Sequence, residues 1–569
     1  MREVRGSFPV AGGSAQPGAL IAVLGLVVLV VLLTACAAGE EKATPTAAVQ
    51  TPIKGTPVVA VKAEPKPGGM LNVQAGDPAM HDPQRDVGAW TYWRFVGSEL
   101  VNFPYGPEVD YYDLTPTPDL AESWEISSDS LTYTFHLRKG VKWQDKPPVN
   151  GRELVAADVK FTFDRLFKVA KALYGYQLGN VKSIEAPDKY TVKFTLGEVY
   201  SPFMTHIASY WAVILPPECE EKIEGGFGKV DSTVGTGPFV LDSYQPNVKA
   251  VFKRNPTYFR SPLPYLDGVN VINITDKSTR EAALRAGNLD LLGVDATSLA
   301  SLQKTNPELV FVRHATLGGW AIAVGSDKPP FNDARVRQAV SLAINRQEWV
   351  DTLHMGMGHV DNGPLPAGMT AWKLPTDQLG EGAQYFGYDT KEAKRLLAEA
   401  GYPNGFETTF TAPTTGVSSS TIEAYELIVD YLSKVGIKVT IKPMEYGAWL
   451  STVASGAKYE GMAYSGQWAV LDPDLTLWGF YYPGQLTNIS RTNDPKLNAM
   501  LEEQRRLMDF KERKKVVDEI QRYLAVQLYR ISAPYPDSLG LRQPWVKDYQ
   551  SKAYGDSGRL YERVWLDKK

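Results

Sequence analysis

Cysteine is scarce in this chain, and clusters of positive charge are absent. Cys36 and Cys219 are the only cysteines among 569 residues, so the sequence offers at most one disulfide. Lysine and arginine total 60 against 64 aspartate and glutamate residues, which gives a net charge of −4 at pH 7 without a basic stripe. This balance excludes the electrostatic footprint of a nucleic-acid-binding protein. A large buried core, rather than cross-links, must stabilise the fold.

Motifs of well-known enzymes are missing as well. The chain has no His-Glu-x-x-His, no Gly-x-Ser-x-Gly and no glycine-rich loop ending in Gly-Lys-Ser/Thr. Ser455 and Lys458 match a Ser-x-x-Lys spacing, but the Ser-Asp-Asn and Lys-Thr-Gly partners of that enzyme class do not occur. The six histidines form no metal-binding spacing, since His354 and His359 are five residues apart and would not share a helical face. We therefore expect no cofactor, no bound metal and no catalytic activity.

One apolar run lies near the N-terminus. Residues 19–33 carry no charge, follow two arginines, and end in the tetrapeptide LTAC at 33–36. A run of 15 residues is too short to cross a hydrocarbon core comfortably but suits the apolar region of an export signal. The arrangement resembles a bacterial lipoprotein signal, in which the cysteine is acylated and becomes the new N-terminus. We predict a signal peptide over residues 1–35 and lipidation of Cys36, with an uncleaved anchor helix as the alternative.

The composition changes again after Cys36. Residues 36–67 are rich in Ala, Thr, Pro, Lys and Glu and contain no aromatic residue. Such a segment buries too little apolar area to offset its ordering entropy, so we predict a disordered tether. From Gly68 onwards aromatic residues are spread throughout, and the remaining chain of about 500 residues exceeds the usual size of one hydrophobic core. We expect two or three lobes.

The periodicity of this body is mixed α and β. Residues 131–137 and 190–196 alternate apolar and polar side chains, which predicts two half-buried strands. Asp389 is a candidate N-cap for a helix whose apolar residues recur at helical spacing until Gly401. Further helices are predicted around Tyr425 to Leu432 and over residues 335–353, 494–508 and 511–528, and a strand is predicted at 437–441.

A series of short motifs carries a family resemblance. In order, they are LAESW at 120–124, LTYTFHLRKGVKW at 131–143, ADVKF at 157–161, VGTGPF at 234–239, RNPTY at 254–258, PFNDARVRQA at 330–339, AINR at 343–346 and AKRLLAEAGY at 393–402. Together they resemble the extracytoplasmic solute-binding proteins of ABC importers, family 5, the dipeptide, oligopeptide and nickel group. The similarity covers nearly all of residues 68–569.

The resemblance implies an α/β, periplasmic-binding-protein-like fold of two lobes joined by a hinge, with an extra domain inserted in the first lobe. Mapped by motif order, the first lobe comprises residues 68–105, 232–310 and 535–569. The inserted domain comprises residues 106–231, and the second lobe residues 311–534. A solute between the lobes contacts both only in the closed form, so it shifts the protein towards closure.

The same resemblance implies the partners and the location. We expect a small-molecule solute, either peptide-like or an oligosaccharide, and the permease subunits of an ABC transporter. We expect a monomer outside the cytoplasm, either in a periplasm or on the outer face of the cell membrane, held there by lipid on Cys36.

Candidate solute-binding residues come from segments that the resemblance assigns to the cleft. Enclosed sites of this kind are mainly apolar, and aromatic side chains supply large contact area with few rotatable bonds. The predicted set is Asp77, Trp90, Tyr92, Trp320, Tyr446, Trp449, Trp468 and Asp472. Core packing is the alternative for each aromatic member.

One position departs from the peptide-binding pattern. Dipeptide and oligopeptide binders place an aspartate about three residues after the tryptophan that corresponds to Trp468, where it pairs with the ammonium group of the peptide. Leu471 occupies that position, and Asp472 matches the structural Asp-Pro of the family better. A buried ammonium without a counter-charge is costly, so peptides and oligosaccharides both stay open as solutes. A secreted hydrolase with a spatially defined carboxylate pair and a purely adhesive protein are the alternatives of other classes.

Overall fold

The structure is a computed structural model that describes residues 64–169, 175–360, 363–467, 469–554 and 557–568. The predicted signal peptide, Cys36, most of the predicted tether and Trp468 lie outside these residues. The strands are β1 (Met70–Gln74), β2 (Val101–Asn102), β3 (Thr117–Pro118), β4 (Ala121–Ile126), β5 (Thr132–Leu137), β6 (Val181–Asp188), β7 (Thr191–Leu196), β8 (Phe239–Gln245), β9 (Lys249–Arg254), β10 (Gly268–Ile272), β11 (Leu291–Val294), β12 (Val310–His314), β13 (Gly319–Val324), β14 (Gly358–His359), β15 (Phe406–Pro413), β16 (Ile437–Met444), β17 (Met462–Gln467), β18 (Arg530–Ser532), β19 (Tyr535–Pro536), β20 (Ser538–Arg542), β21 (Val546–Lys547) and β22 (Trp565–Leu566).

Helices separate most of these strands. The α-helices are α1 (Trp90–Val96), α2 (Ala156–Val169), α3 (Phe203–Ile207), α4 (Pro217–Lys222), α5 (Lys277–Arg285), α6 (Ala296–Thr305), α7 (Ala334–Ala343), α8 (Arg346–His354), α9 (Thr390–Glu399), α10 (Ser419–Ser433), α11 (Tyr446–Trp449), α12 (Pro473–Tyr481), α13 (Pro495–Arg506), α14 (Phe510–Gln527) and α15 (Gly558–Tyr561).

A seven-stranded mixed sheet organises the body that we call the first lobe. Its strand order is β12-β20-β11-β1-β10-β9-β8, with β1 parallel to β10 and β11. Helix α1 packs on one face of this sheet, where Phe95 lies 5.0 Å from Phe252 between ring centroids. A leucine-rich cluster that includes Leu292, Leu539 and Leu541 covers part of the other face.

The predicted strands at 131–137 and 190–196 are confirmed as β5 and β7. They pair antiparallel in a four-stranded sheet of order β4-β5-β7-β6, and Phe135 lies opposite Val192. The apolar members of both strands point into one buried core, as the alternation predicts. Because β4 to β7 lie between two strands of the first lobe in the chain, this sheet interrupts the first lobe.

A five-stranded sheet organises the body that we call the second lobe. Its order is β16-β15-β17-β13-β18, and helices α7 to α10 share its buried core. Strand β13 has the apolar sequence GWAIAV and is buried along almost its whole length, as expected for a central strand covered on both faces. The predicted N-cap is confirmed, because the Asp389 side chain accepts hydrogen bonds from the backbone N–H groups of Lys391 and Glu392.

The predicted helix over 335–353 is two helices in the structure, α7 and α8. The side chain of Asn345 accepts a hydrogen bond from the backbone N–H of Glu348, so it caps a new helix where the sequence pattern suggested continuation. The predictions at 494–508 and 511–528 are confirmed as α13 and α14.

The chain crosses between the two main sheets twice, from β12 to β13 and from β18 to β20. Asp537 lies in the second crossing. It accepts a hydrogen bond of 2.6 Å from Arg313 Nε, and its other carboxylate oxygen lies 2.9 Å from His359 Nε2. These contacts hold the two crossings close together. Strand β12 extends beyond the predicted boundary at 310, and the domain boundaries themselves stay a prediction.

Candidate functional site

Aromatic side chains of the second lobe gather around Tyr464. The ring centroids of Trp320 and Trp449 lie 5.2 and 5.4 Å from that of Tyr464, and Tyr446 lies 5.6 Å from Trp449. Three residues of the predicted set therefore share one cluster. Tyr464 was not in that set, although it lies in the strand that leads to Trp468.

Strand register explains this cluster. Strands β13 and β17 are antiparallel, and Trp320 lies opposite Gly466. Because Gly466 has no side chain, the ring of Tyr464, two residues earlier, reaches across towards Trp320; a Cβ on Gly466 would lie 3.3 Å from that ring. Tyr446 and Tyr464 stay half-buried, whereas Trp320 and Trp449 are buried.

Trp449 contains a polar group without a hydrogen-bond partner. Its indole Nε1–H is buried, and no acceptor lies within hydrogen-bond distance among the described residues. A small cavity of about 30 Å³ lies beside Trp320, bordered by Trp349, Ser418 and Tyr535. It has room for about one water molecule. This edge of the second lobe thus combines aromatic faces with unused hydrogen-bonding capacity.

In the first lobe, the carboxylate of Asp77 accepts hydrogen bonds from three donors. The hydroxyl groups of Tyr92 and Tyr244 donate to its two carboxylate oxygens, and the backbone N–H of Asn247 donates to one of them at 2.5 Å. His81 packs against both tyrosine rings, with centroid distances of 5.6 and 5.5 Å. Burial, together with the hydrogen bond to Asp77, raises the pKa of Tyr92. This group fastens the loop after β1 to β8.

Burial changes the interpretation of Tyr92. Only 1% of its surface is exposed, so a solute cannot contact this ring in the present arrangement. Trp90, two residues earlier, is also buried. Its ring lies 4.8 Å from Tyr210, which in turn lies 5.0 Å from Tyr554. Tyr554 packs against the core of the second lobe as well as that of the first, so Trp90 lies close to the junction of the two.

The segment after β17 joins the lobes directly. Leu471 is 3% exposed and belongs to the same hydrophobic core as Trp90. Nearby, the Tyr200 hydroxyl donates a hydrogen bond of 3.1 Å to Asp474, and the backbone N–H of Ser201 donates to the carbonyl of Arg505 at 2.8 Å. The second lobe therefore contacts the inserted domain at the segment after β7, and Leu471 adds an apolar contact.

Asp472 serves the fold in this arrangement. Its two oxygens accept hydrogen bonds from Arg513 at 2.8 and 2.5 Å, and one of them also accepts from the backbone N–H of Asp474 at the start of α12. Burial alone would raise the pKa of Asp472, but the charge and hydrogen bonds of Arg513 outweigh it and hold that pKa below its usual range. These contacts give Asp472 a role in the fold, and its contact with the solute stays a prediction.

Comparison with known proteins decides the family. The sequence profile of the family described as bacterial extracellular solute-binding proteins, family 5 middle, matches residues 115–488. The chain belongs to this family. Family 5 proteins are the solute-binding components of ABC importers, so the predicted family and its two-lobe α/β fold are confirmed.

Three relatives illustrate the range of this family. Heme-binding protein A of Haemophilus influenzae is 31% identical over 481 residues, which span 81% of this chain and 85% of that protein. Di/tripeptide-binding protein 1 of Pseudomonas aeruginosa is 29% identical over 512 residues, spanning 84% and 91%. The solved structure of the periplasmic binding protein DppA from Helicobacter pylori, in complex with the peptide STSA, is 30% identical with a TM-score of 0.72, covering 88% of this chain and 99% of that one.

The relatives named above are binding proteins, and the family is extracellular. Within the part of the chain that the structure describes, no helix combines the length and apolar character needed to span a bilayer. The solute contacts of the whole predicted set stay predictions: Asp77, Trp90, Tyr92, Trp320, Tyr446, Trp449, Trp468 and Asp472.

Proposed function

We propose that this family 5 protein captures a small solute between its two lobes outside the cytoplasm and delivers it to the permease of an ABC importer. No bond in the solute is broken. The contact of Tyr200 with Asp474 supports this proposal, because it joins the inserted domain to the second lobe and exists only when the two approach each other. A solute that contacts both lobes binds the closed form more tightly than the open form, and this difference in affinity favours closure further.

The solute class follows from Leu471. Peptide binders of this family have an aspartate at the corresponding position, and this chain has a leucine there, which offers no counter-charge to an ammonium group. A free ammonium group placed there would lose its hydration without gaining a counter-charge, which is unfavourable. The solute is therefore one whose recognition does not depend on a free α-amino group, such as a peptide with a blocked N-terminus.

An oligosaccharide is the second candidate. The half-buried rings of Tyr446 and Tyr464 offer apolar faces with polar hydroxyl tips at the edge of the second lobe, which suits the C–H faces of sugars. The names of the relatives cover ligands as different as heme and short peptides, so family membership alone does not choose between these classes.

A binding panel tests the solute class. Free tripeptides, their N-acetylated counterparts and neutral oligosaccharides are each titrated into the purified protein by calorimetry, with thermal shift as a second readout. A true solute at 100 times its Kd stabilises the folded state by about 2.7 kcal/mol. We expect N-acetylation not to weaken binding. A preference of more than about 10-fold for the free amine would contradict the argument from Leu471.

A matched pair of variants sharpens the test. Leu471→Asp introduces the carboxylate of the peptide binders, and Leu471→Asn has nearly the same shape without the charge. Relative to Leu471→Asn, Leu471→Asp should gain about 10-fold or more in affinity for free peptides and nothing for acetylated ones. Mass spectrometry of the recovered solute checks that it is intact, since hydrolysis products would favour the enzyme alternative.

The lipid anchor and Trp468 complete the proposal. We propose that Cys36 carries the lipid, since it follows the apolar segment at residues 19–33 by three residues. Labelling cells with a fatty-acid analogue should mark the native protein and leave Cys36→Ala unlabelled. Trp468→Ala should weaken solute binding while the thermal unfolding temperature stays unchanged, and an unaltered affinity would remove Trp468 from the site.

A further inference from the structure

The first lobe contains a cavity of about 500 Å³ whose lining includes none of the residues predicted to contact the solute between the lobes. Its lining comes from strands β1, β10, β11, β12 and β20, from helix α1, and from residues 107, 549–551 and 561. None of the lining residues belongs to the second-lobe sheet or its helices. The volume falls in the range of small-molecule sites in proteins, about 300–1,000 Å³.

Two glycines side by side form the floor of this cavity. Gly293 of β11 lies opposite Gly540 of β20, and Gly540 lies opposite Val312 of β12. Successive side chains alternate across a sheet, and Leu292, next to Gly293, faces the leucine cluster on the other face. The missing side chains of the two glycines therefore lie on the cavity side.

Neither glycine is required by the backbone. A Cβ on Gly293 or Gly540 would meet its nearest neighbour at 4.0 Å, which is ordinary van der Waals distance, and neither residue has the left-handed φ that favours glycine. Glycine weakens the interior of a strand, and it often marks a place where a ligand approaches the backbone closely. We therefore attribute the two paired glycines to the open space that they leave in the cavity for a bound molecule.

The polar lining of the cavity is positively charged. Arg94 and Arg542 both border it, and none of the lining residues is an aspartate or glutamate. His314 also lines the cavity, but burial lowers its pKa, so it adds no charge near neutral pH. One N–H group of Arg542 donates to the carbonyl of Val546, but its Nε–H is buried and has no hydrogen-bond partner in the described part of the chain. Among the described residues, Arg542 forms no ion pair with a carboxylate.

Arg542 is also partly removed from water. Burial lowers its pKa, although Asp548 and Tyr549 act in the opposite direction. The carboxylate of Asp548 accepts a hydrogen bond from the Trp565 indole at 3.2 Å, so it already has a partner. A partly desolvated guanidinium without a carboxylate partner gains most from an anion that supplies both a charge and an acceptor.

We propose that this cavity is a second binding site for a small organic carboxylate, separate from the site between the lobes. The carboxylate group pairs with Arg542, and the apolar part of the molecule covers the floor formed by Gly293 and Gly540. This site goes beyond the solute capture proposed above, because it involves the first lobe alone.

The test uses 4-phenylbutyrate as the probe and the full-length protein in its folded state. Calorimetry should show saturable binding to one site, and the neutral 4-phenylbutanamide should bind about 10-fold more weakly or not at all. Arg542→Gln should weaken 4-phenylbutyrate binding by about 10-fold or more, and Arg542→Lys should lose less. Lys253→Gln, which removes the same charge from the neighbouring strand β9 outside the cavity, should leave the affinity unchanged.

Gly540→Val tests whether filling the floor of the cavity blocks the probe, and it alters no charged group. Valine favours strands, so this variant should stay folded while its side chain fills the cavity and abolishes probe binding. Hydrogen exchange of the unaltered protein gives a readout that needs no variant: 4-phenylbutyrate should protect the amides of residues 538–542. The proposal is overturned if the probe does not bind, if Arg542→Gln and Gly540→Val bind it as the native protein does, or if protection falls on β13 and β17 instead.

Discussion

Replacing Asp472 by asparagine separates a role in the fold from a role in solute binding. The side chains of Asp472 and Arg513 are 4% and 5% exposed, and two hydrogen bonds join them. Asparagine keeps the oxygen that accepts from the backbone N–H of Asp474, so the cap of α12 survives, but the charge is lost and an NH2 donor replaces the oxygen that accepts from Arg513. Removing one partner of a buried ion pair costs about 3–5 kcal/mol, since the other charge stays buried and uncompensated.

The expected loss lies at the lower end of that range. Arg513 keeps the side-chain oxygen of Gln504 as an acceptor at 2.9 Å and the Gln504 carbonyl at 3.1 Å, so part of its hydrogen bonding remains. We therefore expect the free energy of unfolding of Asp472→Asn to fall by about 3 kcal/mol. Urea unfolding followed by tryptophan fluorescence measures this change, and hydrogen exchange of α14 shows where the structure loosens.

A control and a clear contrary result accompany this prediction. Glu407→Gln makes the same acid-to-amide change in the exposed pair with Lys438, in which both side chains are about 80% exposed, and should not change the unfolding midpoint measurably. If Asp472→Asn lost less than about 1 kcal/mol while its solute affinity fell, the carboxylate would act on the solute and the structural assignment would be wrong.

Two further predictions concern pH and closure. The folded-state pKa of Asp472 lies below its ordinary value of 3.8, so the ionised carboxylate stabilises the folded protein above that pH. The difference in unfolding free energy between the native protein and Asp472→Asn should therefore shrink as the pH falls below 3.8. A constant difference down to about pH 2 would contradict this. Tyr200→Phe removes the hydrogen bond to Asp474 and should open the unliganded protein, visible as a larger radius of gyration in X-ray scattering. Tyr190→Phe, which loses a 3.0 Å hydrogen bond to Glu153 within the inserted domain, should leave the radius unchanged.

Local patterns in the sequence predicted the secondary structure well. The alternation at 131–137 and 190–196 identified β5 and β7, and the cap at Asp389 identified the start of α9. These features depend on residues that are adjacent in the chain. The break between α7 and α8 was missed, although Asn345 is a preferred N-cap residue, because apolar residues continue on both sides of it.

The candidate site was less predictable, because burial depends on distant residues. Asp77 is bound by Tyr244, 167 residues away, so nothing near Asp77 indicates that its carboxylate is already engaged. The sequence indicates that aromatic residues gather at the site but not which ones, since Tyr464 joins the cluster only through the pairing of β13 with β17. The departure at Leu471 was visible in the sequence, whereas its burial against the first lobe was not.

The strand order of the first sheet has a consequence for how the protein is made. Strand β20, near the C-terminus, lies between β11 and β12, which precede it by more than two hundred residues. A ribosome releases the chain from its N-terminus, so both neighbours emerge with unpaired edges and wait for their shared partner. Pairing across such a separation is slow, and unpaired edges invite aggregation. The sheet of the first lobe is therefore completed only after the last of its strands has left the ribosome.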